Sequence, residues 1–230
     1  MLEVTMKEIL KVPLFILPNV VFFPSTSLPL YIADQKYESL IQSAIQHGQF
    51  VGVSLQKDDS YFEGFQGHEI FGVGRPIIVE RMPNGIQKIL LKGFHRVRVL
   101  GINKTEPFYE ATTEVLPDQS PKNPQECHNE AQRMRYVLQE WIDKTISSTK
   151  DRQQFSQTIN DKHSVIDYIC TFLIADEKVR QALLENTSLE SRIEILKLIL
   201  NLNYPFQENI QVCEAIKSFE QLERTTTRYN

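Results

Sequence analysis

Residues 70–102 read IFGVGRPIIVERMPNGIQKILLKGFHRVRVLGI, and this stretch decides the fold class of the first half of the chain. It is dominated by β-branched and aromatic residues, which favour extended structure. Asn84-Gly85 lies near its middle, and this pair accepts the positive φ that a type I′ hairpin turn requires at both central positions. Gly93 indicates a bulge or bend in the returning strand. The stretch therefore predicts short strands over residues 70–73, 77–81, 87–91 and 97–102.

More strand-like segments flank this hairpin and extend the prediction to a barrel or sandwich, over residues 12–16, 20–23, 28–32, 50–55 and 109–116. One amphipathic helix interrupts them. Asp34 is a suitable N-cap, the apolar residues that follow recur at helical spacing, and Gly48 can end the helix in the left-handed conformation. Residues 57–68 are polar and contain two glycines, which is typical of a loop.

The chain changes character after residue 116. All nine glycines lie between Gly48 and Gly101, and the last hundred residues contain no glycine and a single proline, Pro205. Residues 117–124 are proline-rich and predict a linker. Helical periodicity then predicts helices over residues 124–147, 151–159, 164–175, 177–185, 189–202 and 210–219. The four residues from Thr187 to Glu190 resemble a capping box at the start of the fifth of these helices.

These patterns predict an α+β protein with four segments. A β-rich subdomain with one helix occupies residues 1–118, a linker residues 119–124, an α-helical subdomain residues 125–222 and a frayed tail residues 223–230.

The composition excludes several classes of protein. The chain carries 25 Lys and Arg against 29 Asp and Glu, so it is not a strongly basic nucleic-acid binder. Its three cysteines lie far apart, which argues against a disulfide framework or a tetrahedral zinc site and favours reduced thiols in the cytoplasm. Prolines interrupt the apolar run at residues 12–23, which therefore predicts a strand rather than a signal peptide. No apolar stretch approaches ~18 residues, so we expect no membrane-spanning helix.

Catalytic motifs are not found in the sequence. There is no Gly-Lys dipeptide and hence no Walker A phosphate loop. His68-Glu69 begins like a zinc-protease helix, but Gly72 stands where the second histidine is needed. The five histidines are scattered, and no spacing nominates a triad. We therefore expect no catalytic residue, metal or cofactor, and an unrecognised hydrolase remains only an alternative.

An aromatic cluster in the loop at residues 57–68 is one candidate binding site. Its members are Tyr61, Phe62 and Phe65. Exposed aromatic side chains would make an interaction hot spot for a protein partner. The alternative is that the same side chains fold back over the mouth of the barrel and belong to the core. The sequence does not decide between the two.

A basic run in the hairpin is the second candidate, formed by Arg75, Arg81, Lys88, Lys92, Arg96 and Arg98 and opposed only by Glu80. Such a face could contact the phosphates of RNA. The alternative is the solvated face of a half-buried hairpin. We favour that alternative because the overall charge is slightly negative.

Several motifs, taken in order, resemble the opening of the Lon protease N-terminal domain. They include residues 13–15, 17–24 and 28–30, Tyr37, residues 72–74, 83–85 and 90–93, Arg96, and Pro107 with Tyr109. A helical stretch over residues 179–185 and 189–192 is similar to the same family. The resemblance covers residues 10–202.

The resemblance implies a pseudo-barrel of PUA-like topology joined to an α-helical bundle. It also implies a non-catalytic module that recognises protein substrates, since catalysis in the family resides in separate ATPase and serine-lysine protease modules. The first hypothesis is accordingly a protein-binding module for client proteins or unfolded peptide segments, acting with a separate ATPase or protease partner. An RNA-binding PUA-like module that uses residues 75–98 is the alternative.

Overall fold

Strand-forming segments and one helix build the first half of the protein. The computed structural model describes residues 8–57, 65–83 and 85–201. The strands are β1 (Ile9–Leu17), β2 (Ser27–Ile32), β3 (Val51–Leu55), β4 (Ile70–Arg81), β5 (Gln87–Lys104) and β6 (Tyr109–Val115), with helix α1 (Gln35–Gln46) between β2 and β3.

The six strands form one sheet in the order β2-β5-β4-β3-β1-β6, and a further pairing of β5 with β6 closes it. β1 and β3 are parallel, while all the other pairs are antiparallel. Five strands thus form a closed ring, which leaves β2 as the strand outside the ring and removes most free edges. We call this unit the barrel, and it confirms the predicted β pseudo-barrel with one helix.

The central hairpin consists of two long strands rather than the four short strands that the sequence predicts. The predicted bulge is present: Gly74 pairs with Gly93 and Val73 with His95, so Phe94 is the extra residue. The turn differs from a type I′ turn, because the Gly85 amide donates to the Met82 carbonyl at 3.0 Å. That bond makes Gly85, at φ 83°, the last residue of the turn. Asn84 lies outside the described residues.

The segment at residues 20–23 is buried but is not the strand that its composition predicts. Phe22 packs into the barrel core, whereas Phe23 packs against the helices, so the segment passes between two cores. Its carbonyl groups approach the sheet at glycines: a Cβ atom at Gly72 would overlap the Phe22 carbonyl oxygen, and one at Gly93 would overlap that of Pro24. These glycines are required by close approach of two backbones.

Helix α1 follows the predicted pattern. Asp34 caps its first turn by accepting a hydrogen bond from the Lys36 amide at 2.9 Å, and Gly48 follows its end at φ 61°. The helix buries Leu40, Ile41 and Ala44 against the barrel.

Up to residue 201, where the described part of the chain ends, five helices follow the barrel and form what we call the bundle: α2 (Pro124–Thr145), α3 (Thr149–Gln157), α4 (Lys162–Phe172), α5 (Glu177–Glu185) and α6 (Leu189–Asn201). Asn123 caps α2 and Pro124 is its first residue, as predicted. The cap of α6 differs from the prediction. Ser188 accepts from the Ser191 amide, and Glu190 binds the Asn123 amide at 2.9 Å instead of closing a capping box.

Barrel and bundle share one hydrophobic cluster. Val21, Phe23, Leu55 and Leu90 are buried with the apolar residues of α2, α4, α5 and α6. Strands give way to helices between Val115 and Pro124. The exact domain limits stay a prediction, and the predicted helix at 210–219 and tail at 223–230 lie outside the described residues.

Candidate functional site

A cleft of about 640 Å³ opens where the barrel meets α5. The turn after β1 and the end of β3 form one wall, and α5 forms the other. The wall residues are Pro18, Asn19, Leu55, Gln56, Lys57, His68, Glu177, Lys178, Gln181, Ala182 and Glu185. Apolar side chains and charges of both signs therefore face the same space.

Gln181 is the most buried residue that α5 contributes to this cleft, at 3% exposure. Its Nε2 donates to the Ile70 carbonyl at 2.9 Å and to Glu185 Oε1 at 2.8 Å. These two acceptors identify the amide nitrogen, because a flipped amide would set oxygen against oxygen. The Oε1 of Gln181 is buried and has no hydrogen-bond partner among the described residues. Gln181 is thus held in a fixed orientation in the wall of the cleft.

Hydrogen bonds between barrel and bundle hold the two walls in place. The Arg180 guanidinium donates to the Asn19 carbonyl at 3.1 Å, and His68 Nδ1 lies 3.2 Å from Glu185 Oε1. The α5 N-cap Asp176 accepts from the Lys178 and Val179 amides, which fixes the first turn of that wall. The cleft is therefore built into the fold rather than formed by loop side chains alone.

A buried charge cluster also joins barrel and bundle. Asp118 binds Arg96 at 2.6 Å and His163 at 2.7 Å, and it also pairs with Arg192. The other Arg192 nitrogen donates to Asp167 at 2.8 Å. Burial acts to raise the pKa of Asp118, but the hydrogen bond with His163 and the Arg192 and Arg96 guanidinium groups together hold that pKa well below its ordinary value. We call Asp118, Arg96, Arg192, Asp167 and His163 the Asp118 cluster.

The predicted aromatic site is not formed as a set. Phe65 is 2% exposed and packs in the barrel core, with its ring edge-on to Tyr109 at 5.7 Å between centroids. It therefore belongs to the core and is not an exposed hot-spot residue. Its burial matches the alternative interpretation, in which the loop aromatics fold back over the barrel. Tyr61 and Phe62 lie outside the described residues.

The predicted basic face is also divided by the fold. Arg96 is buried in the Asp118 cluster, and Lys88 is buried with its Nζ 5.7 Å from the Tyr31 ring centroid. Arg98 pairs with Glu114 at 3.5 Å. Arg75 and Lys92 remain exposed, and within residues 8–57, 65–83 and 85–201 neither has a carboxylate partner. The cations of the hairpin therefore do not form one continuous exposed face.

Three side chains of nucleophilic type, Ser54, Cys127 and Cys170, are buried in the fold. The Ser54 hydroxyl is buried and donates to the His68 carbonyl at 3.0 Å. Cys127 and Cys170 are buried free thiols, and burial raises the pKa of both. In the part of the chain that the structure describes, no group of three His, Cys, Asp or Glu residues could hold a metal ion.

Sequence reasoning missed the residues that matter most here, namely Gln181, Glu185, Asp118 and Arg192. Each is a single polar residue in a helix or linker, where polar residues are ordinary. Their partners lie up to 117 residues away along the chain, in the case of Glu185 and His68. The one available signal was a polar residue at a buried helical position, as at Gln181.

The fold defines a class of α+β protein in which a cleft lies between a barrel and a helical bundle. The family model described as the ATP-dependent protease La (LON) substrate-binding domain matches residues 11–201. The chain belongs to this family.

Curated relatives and solved structures agree with that assignment. The chain is 27% identical over 201 residues to a Lon protease of Desulfovibrio desulfuricans, covering 80% of this chain and 22% of that protein. It is 27% identical over 231 residues to a Lon protease of Rickettsia bellii, covering 94% and 29%. The chain thus spans about a quarter of the length of these relatives.

Two solved structures share the fold. A Lon N-terminal domain protein from Xanthomonas campestris has a TM-score of 0.58 at 19% identity, over 82% of this chain and 97% of that chain. The N-terminal domain of Mycobacterium avium complex Lon protease has a TM-score of 0.60 at 15% identity, over 81% and 95%. Among the described residues, no helix has the length and apolar character needed to cross a membrane.

Proposed function

We propose that this protein is a substrate-recognition module that binds extended segments of client proteins in the cleft between the barrel and α5. The observation that carries the proposal is the cleft itself, in which the barrel supplies one wall and α5 the other, with apolar and charged side chains on both. Membership of the Lon substrate-binding family supports the same role.

The chemistry of the cleft fits an extended polypeptide. Such a segment carries backbone N–H and C=O groups without internal partners, and the exposed side chains of Asn19 and Gln56 in the cleft wall can pair with them. Pro18, Leu55 and Ala182 offer apolar contacts for its side chains, while Lys57 and Glu177 offer charges of both signs. Mixed contacts of this kind suit many client sequences rather than one.

We propose binding without catalysis, with processing left to a separate ATPase–protease. The two described thiols are buried and held in the neutral form by their raised pKa values, and the Ser54 hydroxyl is engaged by a carbonyl. The free thiols also support our placing the protein in the cytoplasm. Nucleic acid is not proposed as the ligand, since Arg96, Lys88 and Arg98 are engaged within the fold.

Filling the cleft tests the proposal directly. Ala182 is exposed on α5 and lines the cleft, so Ala182→Trp places a large side chain in the groove without disturbing the core. A fluorescently labelled, permanently unfolded model protein is titrated with each variant and followed by anisotropy. The wild-type protein is expected to bind this model protein. Ala182→Trp should bind it at least about tenfold more weakly, which corresponds to a loss of ~1.4 kcal/mol of binding free energy.

Gln132→Trp is the matched control, because Gln132 is exposed in the middle of α2 and away from the cleft. It is expected to bind like the wild-type protein. Equal binding by Ala182→Trp and Gln132→Trp would remove the cleft as the site, and no binding by the wild-type protein would reject the function.

A further inference from the structure

A second surface lies at the other end of β3 from the cleft. Phe50 precedes β3, whereas the cleft residues Gln56 and Lys57 follow it. The Arg75 guanidinium carbon lies 5.3 Å from the Phe50 ring centroid and 5.5 Å from that of Phe94. The two rings are 5.7 Å apart. An arginine held against two aromatic faces keeps its charge in water but loses little freedom when it binds an anion.

Lys92 adds a second cation to this surface. It pairs with Arg75 in the antiparallel register of β4 and β5, so both side chains leave the same face of the sheet. Like charges directly opposite each other destabilise a sheet. Both side chains are exposed, and neither has a carboxylate partner among the described residues. The fold therefore retains an unfavourable pair of cations that an external anion would relieve.

The β-bulge explains the aromatic part of the surface. Phe94 is the extra residue of the bulge, and it is 42% exposed although it is a large apolar side chain. Bulges redirect side chains, and exposed aromatic groups beside charges are typical of interaction surfaces. We call Phe50, Arg75, Lys92 and Phe94 the arginine–aromatic patch.

We propose that the arginine–aromatic patch is a second binding site, which docks an acidic peptide segment that carries an aromatic or large apolar side chain. Its carboxylates would pair with Arg75 and Lys92, and its apolar side chain would cover Phe94. The site is separate from the cleft and does not depend on the cleft's function.

Charge decides in favour of a peptide over a nucleic acid. A nucleic-acid groove needs a series of cations along a phosphate backbone. The arginine–aromatic patch offers two exposed cations, Arg75 and Lys92, because Arg96 and Arg98 are paired with Asp118 and Glu114 and Lys88 is buried. The chain as a whole carries a net charge of −4. Two cations beside an apolar ring match a short acidic segment.

The test uses a fluorescein-labelled peptide in which phenylalanines are set among glutamates, and the same peptide with glutamine in place of glutamate. The full chain is expected to bind the glutamate peptide, more weakly as salt rises, and the glutamine peptide poorly. Arg75→Gln, Lys92→Gln and Phe94→Ala should each weaken binding by about fivefold. Arg81→Gln is the control, because Arg81 is exposed on the same strand but outside the patch.

Lys92→Glu gives a readout with two parts. It replaces the like-charged pair by a cross-strand ion pair, so the melting temperature should rise while binding of the glutamate peptide is lost. A rise in melting temperature with unchanged binding would overturn the proposal, as would equal binding of both peptides. Tighter binding of single-stranded oligothymidine would assign the patch to nucleic acid. Self-association that Arg75→Gln abolishes would assign it to a second copy of the chain.

Discussion

At the scale of single residues, Asp118 joins three separate elements of the fold. It lies in the linker, yet its carboxylate binds Arg96 of β5, Arg192 of α6 and His163 of α4. A carboxylate shared by two buried guanidinium groups is costly to remove, because both cations lose their partner in a dry environment. One side chain between β6 and α2 thus ties the barrel to two helices of the bundle.

Asp118→Asn is expected to lower the free energy of unfolding by about 3 kcal/mol near neutral pH. The pKa of Asp118 is lowered in the folded protein, so its stabilising effect is complete above the ordinary pKa of about 4 and is lost as pH falls through the lower, folded-state pKa. The variant should therefore lose less stability than the wild-type protein between about pH 5 and about pH 2. Urea unfolding across this range measures both effects.

Asp143→Asn serves as the control for Asp118→Asn. Asp143 pairs with Arg152 at 3.4 Å, and its side chain is 50% exposed. Exposed pairs contribute little, so the change should stay within about 0.5 kcal/mol. Equal losses for the two variants would show that the Asp118 cluster has no special role.

At the scale of elements, the segment at residues 20–24 is the part whose structure departs most from its composition. Consecutive side chains point into different cores, as in a strand, but the backbone crosses the sheet instead of joining it. A run of apolar β-branched and aromatic residues in the sequence indicates a segment that is buried on two sides. It does not indicate which groups pair with the backbone of that segment. Glycines in the hairpin create the space for this crossing.

Gly72→Ala is expected to destabilise the protein by about 3 kcal/mol, because its Cβ would overlap the Phe22 carbonyl oxygen and backbone atoms move little in a packed core. Gly101→Ala is the matched control in β5, since a Cβ there meets no atom within 4 Å. It should change stability by less than about 0.5 kcal/mol. Urea denaturation of both variants measures the difference. Similar losses of stability in the two variants would contradict the close approach of the Phe22 backbone to Gly72.

At the scale of the whole molecule, the shared cluster leads us to expect that barrel and bundle unfold as one cooperative unit. Leu90 of β5 and Trp141 of α2 belong to the same buried cluster. The groove walls come from both parts, so a cleft of fixed shape requires that the two do not unfold separately.

Leu90→Ala should lower the free energy of unfolding by about 3 kcal/mol. Trp141 is the only tryptophan and lies in the bundle, so its fluorescence reports the helices, whereas far-UV circular dichroism reports the whole chain. Both transitions should shift together. The control is Leu100→Ala on the same strand, where Leu100 is 48% exposed and little change is expected. An unshifted Trp141 transition in Leu90→Ala would mean two independent units.

Much of the architecture could be predicted from local pattern. The caps at Asp34 and Asn123, the start of α5 at Glu177 and the bulge beside Gly93 follow from residues close together in sequence. The prediction of four short strands in the central hairpin was wrong, because Gly74 and Gly93 interrupt the apolar pattern of the sequence without breaking the hydrogen-bonded pairing of β4 and β5. The predicted capping box of α6 is not formed, because the Glu190 carboxylate accepts a hydrogen bond from the backbone amide of Asn123, 67 residues away in sequence.

The sequence by itself determined the α+β order, the change from strands to helices after residue 115, and membership of the Lon substrate-binding family, since these depend on periodicity and local motifs. Only the tertiary structure decided which polar groups are engaged. It buried Arg96 beside Asp118, placed Phe65 in the core, and left Arg75 and Lys92 without a carboxylate partner among the described residues. The reason is that a polar side chain's role depends on which distant carboxylate, carbonyl or ring the fold brings within about 3–6 Å.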